Sequence, residues 1–404
     1  MEVELEKSNF MTNSKYTNEE GTVRISKKLR NKYSLKLYSF VNFDTEENKS
    51  VCLQVLPAYT EDVEKNSDAL FVTDTVYDLL KKEVVTNALV VTDNLTLGCD
   101  PELLLIKNGN EIVKASWYFG KTGVVGNDGH ILEFRPPPST NEETLRDTLY
   151  SLIKRARVMI NNTIPEGDKI RMVGSSYKKG VDKSDLPFYT TGFHLHFGIP
   201  PILINPKLPH IKLLIDQVVK ILDYYVGIPS IILEKNEEAL RRSSINIQYG
   251  KPGNYRLNFP TLEYRVPGGY NLRHPILACG LIGLGAVVVE DVITRIKHCT
   301  DNFKNPLEIQ NADDIRELYP NLPPTEDIFR LILTPKTEYA RTYIDNIYKD
   351  VSKMITFDKR KKSICDYFDL LTNKKIELTG DIENNWENYY ESRQNQVEFY
   401  QSSS

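Results

Sequence analysis

Short segments of β-type pattern dominate the first three hundred residues of the chain. In these segments apolar residues alternate with polar ones or form short apolar runs, as expected for strands buried on one or both faces. Before residue 60 they are TVRISKKL, SLKLYSFVNF and SVCLQVLP, which predict a small sheet. From residue 88 they are ALVVT, PELLLIK, EIVKASWYF, HILEFRP, KIRMVGSS, GFHLHFGI and TLEYRVP. The Asn108-Gly109-Asn110 stretch between PELLLIK and EIVKASWYF predicts a hairpin turn.

Helical patterns are fewer, and they lie between and after these strands. Thr140, with Glu143 three residues later, has the form of a capping box and predicts a helix from Glu142 to about Asn161. A second helix is predicted from Ile211 to about Val226, and a strongly apolar one begins near Pro275. Beyond residue 300 the pattern becomes helical and polar. The tail from residue 383 is either disordered or a partner-binding segment.

This arrangement of elements indicates the fold class. Strands joined by hairpins and long loops, with helices interspersed irregularly, favour an α+β fold built on an antiparallel sheet. A G-x-G-x-x-G turn that opens a helix and a G-x-x-x-x-G-K-[ST] loop are both absent from the sequence, so Rossmann and P-loop sites are not expected. We predict three regions: a β-rich accessory region at 1–92, a core at 93–300 and a helical region with a polar tail at 301–404.

Composition and charge exclude several classes of protein. Of the 404 residues, 40% are hydrophobic and 26% charged, which is typical of a globular chain. The net charge of −4 gives no reason to expect a nucleic acid or an anionic membrane as partner. Five scattered cysteines predict free thiols in a reducing compartment such as the cytoplasm. The apolar stretch Ile276–Val289 is too short to span a bilayer and is interpreted as a core helix.

Charged or imidazole side chains interrupt four of the predicted strands in pairs. Within each pair the two residues are two positions apart, so on an extended chain both point to the same face of the sheet. The pairs are Asp100 with Glu102, Glu133 with Arg135, His194 with His196, and Glu263 with Arg265.

Each pair taken alone has an ordinary explanation. An E-x-R pair can be an ion pair on a solvated sheet face, and an H-x-H pair can be structural. Together, however, carboxylates clustered in one cavity would repel one another unless cations compensated them. Three or more carboxylates with one imidazole suit Mg²⁺ or Mn²⁺. The arginines would then face an anion shared with the metals, such as a nucleoside triphosphate.

A basic loop, RRSSINIQYGKPGNYRLNF, precedes the last of these strands. Its positive charge comes from Arg241, Arg242, Lys251 and Arg256. Gly250 and Gly253 would let the backbone approach a ligand closely. The loop is either a flexible basic surface segment or part of a ligand site.

These motifs, in this order, resemble those of the glutamine-synthetase-like carboxylate–amine ligases. The sequence is most similar to the phage-type COOH·NH2 ligases, or amidoligases, which are related to the glutamate–cysteine ligases. The strand TGFHLHFG resembles the family's histidine strand, and LEYRVP resembles its E-x-R-apolar-P strand. GCDPE and LEFRPPP are similar to its two acidic strands. The resemblance covers about residues 95–290.

The resemblance implies a fold and a set of site residues. The sheet would be a curved antiparallel half-barrel with packed helices, which binds ATP at one end and divalent metals at its waist. The implied metal ligands are Glu102, Glu133, His194 and Glu263, with Asp100 as a possible addition. A further glutamate that glutamine synthetases carry beside the second acidic strand is missing, which favours two metals over three.

Other residues would contact the nucleotide and the transferred phosphate. Arg256 and Arg265 are the implied catalytic residues because they would hold the transferred phosphate, and they would also contact the nucleotide. His196 would line the nucleotide or substrate pocket, and Arg241 and Lys251 are predicted as further nucleotide contacts.

The implied reaction is an ATP-dependent condensation that forms an amide or peptide bond. The γ-phosphoryl group of ATP would pass to a substrate carboxylate, and an amine of an amino acid, peptide or protein would then attack the acyl phosphate. Two alternatives remain: a non-catalytic virion or assembly protein that keeps the fold, and a metal-dependent hydrolase built on the H-x-H pair, which usually has more histidine ligands. A phage-encoded protein would act in the host cytoplasm, and its oligomeric state stays open.

Overall fold

The described part of the chain contains two large β-sheets and one two-stranded sheet, together with helices. The computed structural model describes residues 3–8, 22–33, 35, 40–44, 50–80, 84–85, 90–91, 95–180, 187–198, 209–258, 261–299, 318–373 and 378–402. Both large sheets occur together with helices, which confirms the predicted α+β class in its coarse form. The predicted boundaries at residues 92 and 300 stay predictions.

The first sheet has seven strands in the order β6-β1-β5-β2-β4-β3-β7. Its strands are β1 (Val3–Lys7), β2 (Thr22–Ile25), β3 (Phe40–Asp44), β4 (Ser50–Pro57), β5 (Ala69–Val72), β6 (Val84–Val85) and β7 (Val90–Val91). The predicted strand TVRISKKL is wrong in its second half, where the helix Lys27–Lys32 begins. The Ser26 hydroxyl accepts a hydrogen bond from Leu29 N and so caps this helix. Residues 34 and 36–39 of SLKLYSFVNF lie outside the described residues.

The second sheet has eight strands, and the pairings within it are antiparallel. They are β8 (Thr96–Lys107), β9 (Glu111–Val113), β10 (Val125–Asp128), β11 (Ile131–Phe134), β12 (Ile170–Val173), β15 (Phe193–Gly198), β16 (Tyr255–Asn258) and β17 (Thr261–Tyr264). The main path runs β10-β11-β8-β15-β17-β16, and β9 and β12 pair with the far end of β8. Strands β13 (Tyr177–Lys179) and β14 (Phe188–Thr190) form a separate pair.

Strand β8 is the organising strand of this sheet because it pairs with four others. Its first half pairs with β15, and its second half pairs with β11, β12 and β9. Pro101 lies where the partners change, so a residue without an N–H is tolerated inside a central strand. The hairpin to β9 is confirmed, with positive φ at Asn108 (46°) and Gly109 (98°). The predicted strand EIVKASWYF ends early, and Ala115–Trp117 forms a 3₁₀ turn instead.

The helices lie mainly in the second half of the chain. They are Lys27–Lys32, Thr60–Lys65, Asp74–Leu80, Glu142–Asn161, Pro209–Leu222, Ile228–Ser230, Leu240–Ser243, Pro275–Cys299, Thr325–Leu333, Glu338–Arg341, Ile344–Val351, Lys361–Thr372 and Ile382–Ser402. The helix Glu142–Asn161 has the predicted bounds, but its capping residue was predicted wrongly. Asn141, not Thr140, is the N-cap: its side chain accepts hydrogen bonds from Glu143 N at 2.7 Å and Thr144 N at 3.0 Å.

The helix predicted from Ile211 to Val226 divides into two parts. An α-helix covers Pro209–Leu222, and a turn of π-helix follows at Asp223–Gly227. Such turns are often found at functional sites. Asp223 is fully buried and accepts hydrogen bonds from the Tyr264 hydroxyl at 2.8 Å and from Gly253 N at 2.7 Å. The π turn therefore ties strand β17 to the basic loop.

The apolar helix Pro275–Cys299 begins at the predicted proline and lies in the protein core. The expectation that it is too short to cross a bilayer is wrong, because Pro275–Arg295 is long and apolar enough by length and composition. In this structure 83% of its most apolar stretch is buried inside the protein, as the core-helix interpretation requires. Cys99, Cys279 and Cys365 are free thiols; the side chains of Cys52 and Cys299 lie outside the described residues.

The described part of the polar tail forms the helix Ile382–Ser402. Trp386 in its first turns is fully buried and donates a hydrogen bond from its indole N–H to Leu272 O at 2.8 Å. Tyr390 stacks on Tyr150 of the helix Glu142–Asn161, with ring centroids 4.2 Å apart. The first half of the tail is thus part of the folded core.

Candidate active site

Strand pairing in the second sheet places the predicted acidic residues next to one another. On the antiparallel ladder between β8 and β11, Glu102 is directly opposite Glu133. On the ladder between β8 and β15, Asp100 is directly opposite His194. Cross-strand partners have their Cβ atoms about 4.5–5.5 Å apart and on the same face. Strand register therefore brings together residues that are up to 94 positions apart in sequence.

The third and fourth motifs meet on the adjacent ladders. His196 on β15 is opposite Glu263 on β17, and Glu263 is in turn opposite Arg256 on β16. Because each motif has the two-residue period of a strand, its second member lies on the same face. Four predicted motifs thus line one continuous stretch of one sheet face.

Three of these side chains form a group with the geometry of a metal site. The ligand atoms of Asp100, His196 and Glu263 all lie within 4.8 Å of one another. His194 joins them, with Nδ1 3.0 Å from Asp100 Oδ1 and 3.7 Å from Glu263 Oε1. His196 Nε2 is 3.3 Å from the same Asp100 oxygen. Carboxylate oxygens with imidazole nitrogen are a donor set that suits Mn²⁺ or Mg²⁺.

The facing atoms of this group are buried and lack hydrogen bonds. Asp100 Oδ1, His194 Nδ1, His196 Nε2 and Glu263 Oε1 make no hydrogen bond within the part of the chain that the structure describes. These atoms approach one another to 3.0–3.7 Å. Buried polar atoms without partners are costly. Convergence on a common centre is the arrangement expected of ligands to a cation, so the residues fit the implied metal.

A glycine in the histidine strand makes room for the ring of His194. A Cβ atom added at Gly192 would lie only 2.2 Å from His194 Nε2, so the imidazole occupies the space that a side chain would take. The backbone N–H of Gly192 donates to Glu102 Oε2 at 2.6 Å. The glycine of the T-G-F-H-L-H sequence therefore positions two of the predicted ligands.

Burial and charge shift the pKa values of the acidic residues in opposite directions. Burial disfavours the ionised form of Asp100, but the neighbouring His196 and His194 outweigh it and hold the pKa of this carboxyl below its usual range. Burial raises the pKa of Glu102 despite the nearby His194. Burial also raises the pKa of Glu133 to about 7, although Arg135 opposes this. Burial favours the neutral form of His194 and His196, but the neighbouring Asp100 outweighs it and raises the pKa of both. Without a metal the group therefore retains protons that metal binding would displace.

Three arginines lie beside the glutamates of the site. Arg265 Nε lies 3.0 Å from Glu263 Oε1, and Arg256 lies 3.3 Å from Glu263 Oε2. Arg135 pairs with Glu133. The Arg256 side chain is 54% exposed, so it can contact a ligand that approaches from solvent.

Two predicted nucleotide contacts, Arg241 and Lys251, lie outside this group. Arg241 is fully buried, donates to Val266 O at 2.7 Å and lies 3.6 Å from Glu234. This part of the basic loop is a short helix in the protein interior and not a flexible surface segment. Lys251 is half-buried, and its carbonyl accepts a hydrogen bond from Asn254 N. Their roles as nucleotide contacts stay predictions.

Tyr249 is a residue of the site that the sequence analysis missed. Its hydroxyl lies 2.9 Å from His194 Nε2 and 3.0 Å from Glu102 Oε2. A tyrosine in a loop has no periodic pattern that could have marked it. The one indication in the sequence is that Tyr249 directly precedes Gly250, which adopts a φ of 67° that favours glycine.

A cavity elsewhere in the protein is separate from this group. Its volume is about 360 Å³, and its lining includes Leu233, His274, Leu277, Arg341 and Leu370. None of the predicted site residues lines it. The candidate active site is therefore the group on the sheet face and not this cavity.

Comparisons with solved structures return distant matches. A crystal structure of a glutamine synthase homolog has 12% identity and a TM-score of 0.36, with 69% of this chain and 65% of that chain covered. A bifunctional glutathione synthetase from Pasteurella multocida has 12% identity and a TM-score of 0.30, with coverage of 69% and 53%. GmaS in complex with ADP has 11% identity and a TM-score of 0.31, with coverage of 67% and 73%. This chain spans less than two thirds of the length of the glutamine synthase homolog and of the glutathione synthetase.

A comparison with protein families gives a direct result. No curated protein matches this chain. The family described as phage phiEco32-like COOH.NH2 ligase, type 2, matches residues 97–387, which is more than half of the chain and includes each of the predicted site residues. The chain therefore belongs to the phage phiEco32-like COOH.NH2 ligase type 2 family.

Proposed function

We propose that the protein is an ATP-dependent ligase that joins a carboxylate to an amine. The observation that carries this proposal is the group formed by Asp100, His194, His196 and Glu263. Its facing atoms are buried, close together and without hydrogen bonds to any described residue. Family membership independently supports a ligase that uses a carboxylate and an amine.

The proposal includes the shape of the sheet and the division of its ligands. The sheet would curve into a half-barrel, with ATP entering at one end. Asp100, His194 and Glu263 would hold one divalent ion, and the facing pair Glu102 and Glu133 would contribute to a second. Two metal sites agree with the strand pairing, because Asp100 and His194 face each other between β8 and β15, whereas Glu102 and Glu133 face each other between β8 and β11.

The residues around the group have distinct roles in the proposed reaction. A bound divalent ion supplies a positive charge that polarises the phosphoryl oxygens and offsets the charge that develops on them. Arg265 and Arg256 would hold the γ-phosphate from the side of Glu263. His196, whose side chain is 30% exposed, would line the pocket beside them.

The bonds made and broken balance over two steps. A substrate carboxylate oxygen attacks the γ-phosphorus of ATP, which gives an acyl phosphate and ADP. The amine nitrogen then attacks the acyl carbon, loses a proton and expels inorganic phosphate. Holding both substrates side by side contributes on the order of 7–11 kcal/mol at its upper limit. A cytoplasmic location, where ATP and Mg²⁺ are both present, would fit this reaction.

An ATP-turnover experiment tests the proposal. The protein is incubated with ATP, Mg²⁺ and pooled amino acids, peptides or candidate proteins, and ADP is followed together with the intact mass of the products. The expected result is ADP formation and a product lighter than its two precursors by one water. Glu263→Gln and His194→Ala should abolish both, whereas Glu111→Gln, an exposed glutamate on the same sheet, should not.

The outcomes separate this function from its alternatives. ADP formation with no joined product would show ATP hydrolysis and contradict the ligase. A protein that binds Mn²⁺ but neither binds nor consumes ATP would favour a structural or assembly role for the fold.

A further inference from the structure

Tyr249 reaches into the acidic group from the loop between the helix Leu240–Ser243 and β16. Its hydroxyl oxygen is 2.9 Å from His194 Nε2, 3.0 Å from Glu102 Oε2 and 3.2 Å from Glu102 Oε1. It thus touches one ligand from each of the two proposed metal sites. The phenol thus connects Glu102 on β8 with His194 on β15. It contacts Nε2 of the imidazole, whereas Asp100 faces Nδ1.

The loop backbone holds the tyrosine in this position. Tyr249 N donates to Arg241 O at 2.8 Å. The residues on both sides, Gln248 and Gly250, have positive φ angles of 52° and 67°. For Gln248 this conformation is uncommon and costs energy, which is typical of segments that hold a functional side chain.

Two guanidinium groups lie close to the ring of Tyr249. The Cζ atom of Arg241 is 5.9 Å from the ring centroid, and that of Arg265 is 5.6 Å from it. Both distances are within the range of a cation–π contact. The buried Arg241 therefore contacts the ring, and Arg265 contacts both the ring and Glu263.

The hydrogen bonds of the hydroxyl determine which nitrogen of His194 carries a proton. A phenol has one proton to donate, and its oxygen can also accept a hydrogen bond. Glu102 as a metal ligand is a carboxylate and can only accept, so the phenol donates to it. The phenol oxygen must then accept from His194 Nε2–H. This leaves a lone pair on Nδ1, the atom that faces Asp100 and Glu263.

We propose that Tyr249 is a positioning residue that sets the Nε2–H tautomer of His194 and aims its Nδ1 lone pair at the metal. The inference rests on the proposed function only through the metal group, not through the ligase reaction. Residues that orient metal ligands in this way typically change metal affinity by about 10- to 100-fold when they are removed. The same magnitude is expected for loss of the Tyr249 hydroxyl.

Metal titration of Tyr249→Phe tests the proposal without any enzyme assay. Mn²⁺ binding is measured by electron paramagnetic resonance or calorimetry, and thermal unfolding is recorded without metal. The matched control is Tyr367→Phe, because Tyr367 is fully buried and its hydroxyl makes no hydrogen bond within the described residues. Asp100→Asn serves as the variant in which a ligand itself is removed.

The expected result is a Kd for Mn²⁺ that rises roughly 10- to 100-fold in Tyr249→Phe and is unchanged in Tyr367→Phe. A Tyr249→Phe protein that unfolds at a lower temperature but binds Mn²⁺ like the wild type would overturn the proposal, because the role would then be structural. A wild type that binds no Mn²⁺ would also overturn it. Metal binding that depends on Tyr249 in a protein that forms no ADP would support the inference while the proposed function fails.

A second measurement needs no variant of Tyr249. In the Mg²⁺-loaded wild type with nitrogen-15 histidine, two-bond proton–nitrogen spectra report the tautomer, and His194→Asn identifies the signal. An Nε2–H form of His194 is expected. An Nδ1–H form would mean that the tyrosine donates to the imidazole, and it would overturn the assignment.

Discussion

Gly192→Ala is the substitution whose effect follows most directly from the packing of the site. The added Cβ would lie 2.2 Å from His194 Nε2, 2.7 Å from Cδ2 and 3.0 Å from Cε1. Ordinary contact begins near 3.4 Å, so the ring has to withdraw by about 1 Å. The backbone hydrogen bond from Gly192 N to Glu102 is retained, so the perturbation is confined to the ring.

The magnitude follows from what the ring touches. A displacement of about 1 Å breaks the 2.9 Å contact with Tyr249 and moves Nδ1 relative to Asp100 and Glu263. A misplacement of this size costs about 100-fold in rate, which corresponds to about 2.7 kcal/mol of transition-state stabilisation. Overpacking should lower the free energy of unfolding by about 1–3 kcal/mol.

The assay is Mg²⁺-dependent ATP turnover together with Mn²⁺ titration. Gly120→Ala is the matched control, because no atom lies within 4 Å of a Cβ added there. The control should keep both turnover and affinity. Wild-type turnover and Mn²⁺ affinity in Gly192→Ala would refute the reasoning, since the ring of His194 would then tolerate displacement or would not bind the metal.

Three further substitutions test the surrounding structure. Burial raises the pKa of Asp223 to about 7 from 3.8, so the folded protein keeps a proton that the unfolded chain loses. The free energy of unfolding, relative to that of Asp223→Asn, should therefore fall as the pH rises from about 4 and level off above about 7. The total change in urea titrations should be at most on the order of 4 kcal/mol. Trp386→Ala should lower the free energy of unfolding by about 3–5 kcal/mol in the same titrations, because a fully buried indole leaves a cavity. Glu234→Leu should cost about 3–5 kcal/mol, since it leaves Arg242 buried without its carboxylate partner, and Arg242→Met in the same chain should recover part of the loss. A stability difference between the wild type and Asp223→Asn that does not change with pH would contradict the first argument. A loss below 1 kcal/mol in Trp386→Ala or in Glu234→Leu would contradict the argument for that variant.

The part of the site that lies on strands could be predicted from the sequence. The spacing of two in D-P-E and H-L-H places each pair on one face of a strand, as in the structure. In E-F-R and E-Y-R the arginine follows the end of the strand, but it still contacts the glutamate of its pair. The sequence could not supply the register between strands. That Asp100 lies opposite His194, and Glu102 opposite Glu133, depends on pairings between segments that are far apart along the chain.

The missed features are those that depend on long-range contacts in loops or on polar helices. Tyr249 belongs to a loop without periodicity, and only the fold shows that its hydroxyl reaches the site. The burial of Arg241 likewise could not be predicted from its neighbours in the sequence. The tail around Trp386 is too polar for a clear amphipathic pattern, and its helix is held by the bond to Leu272. In TVRISKKL, the capping hydroxyl of Ser26 overrides the strand pattern.

Strand β8 limits how this chain can change during evolution. It hydrogen-bonds to β15 with one half and to β11, β12 and β9 with the other, and it carries Asp100 and Glu102. Deletion of one residue between the two halves would turn every following side chain to the opposite face. Relatives of this protein should therefore differ in length in the connections between strands, while the twelve positions of β8 keep their number.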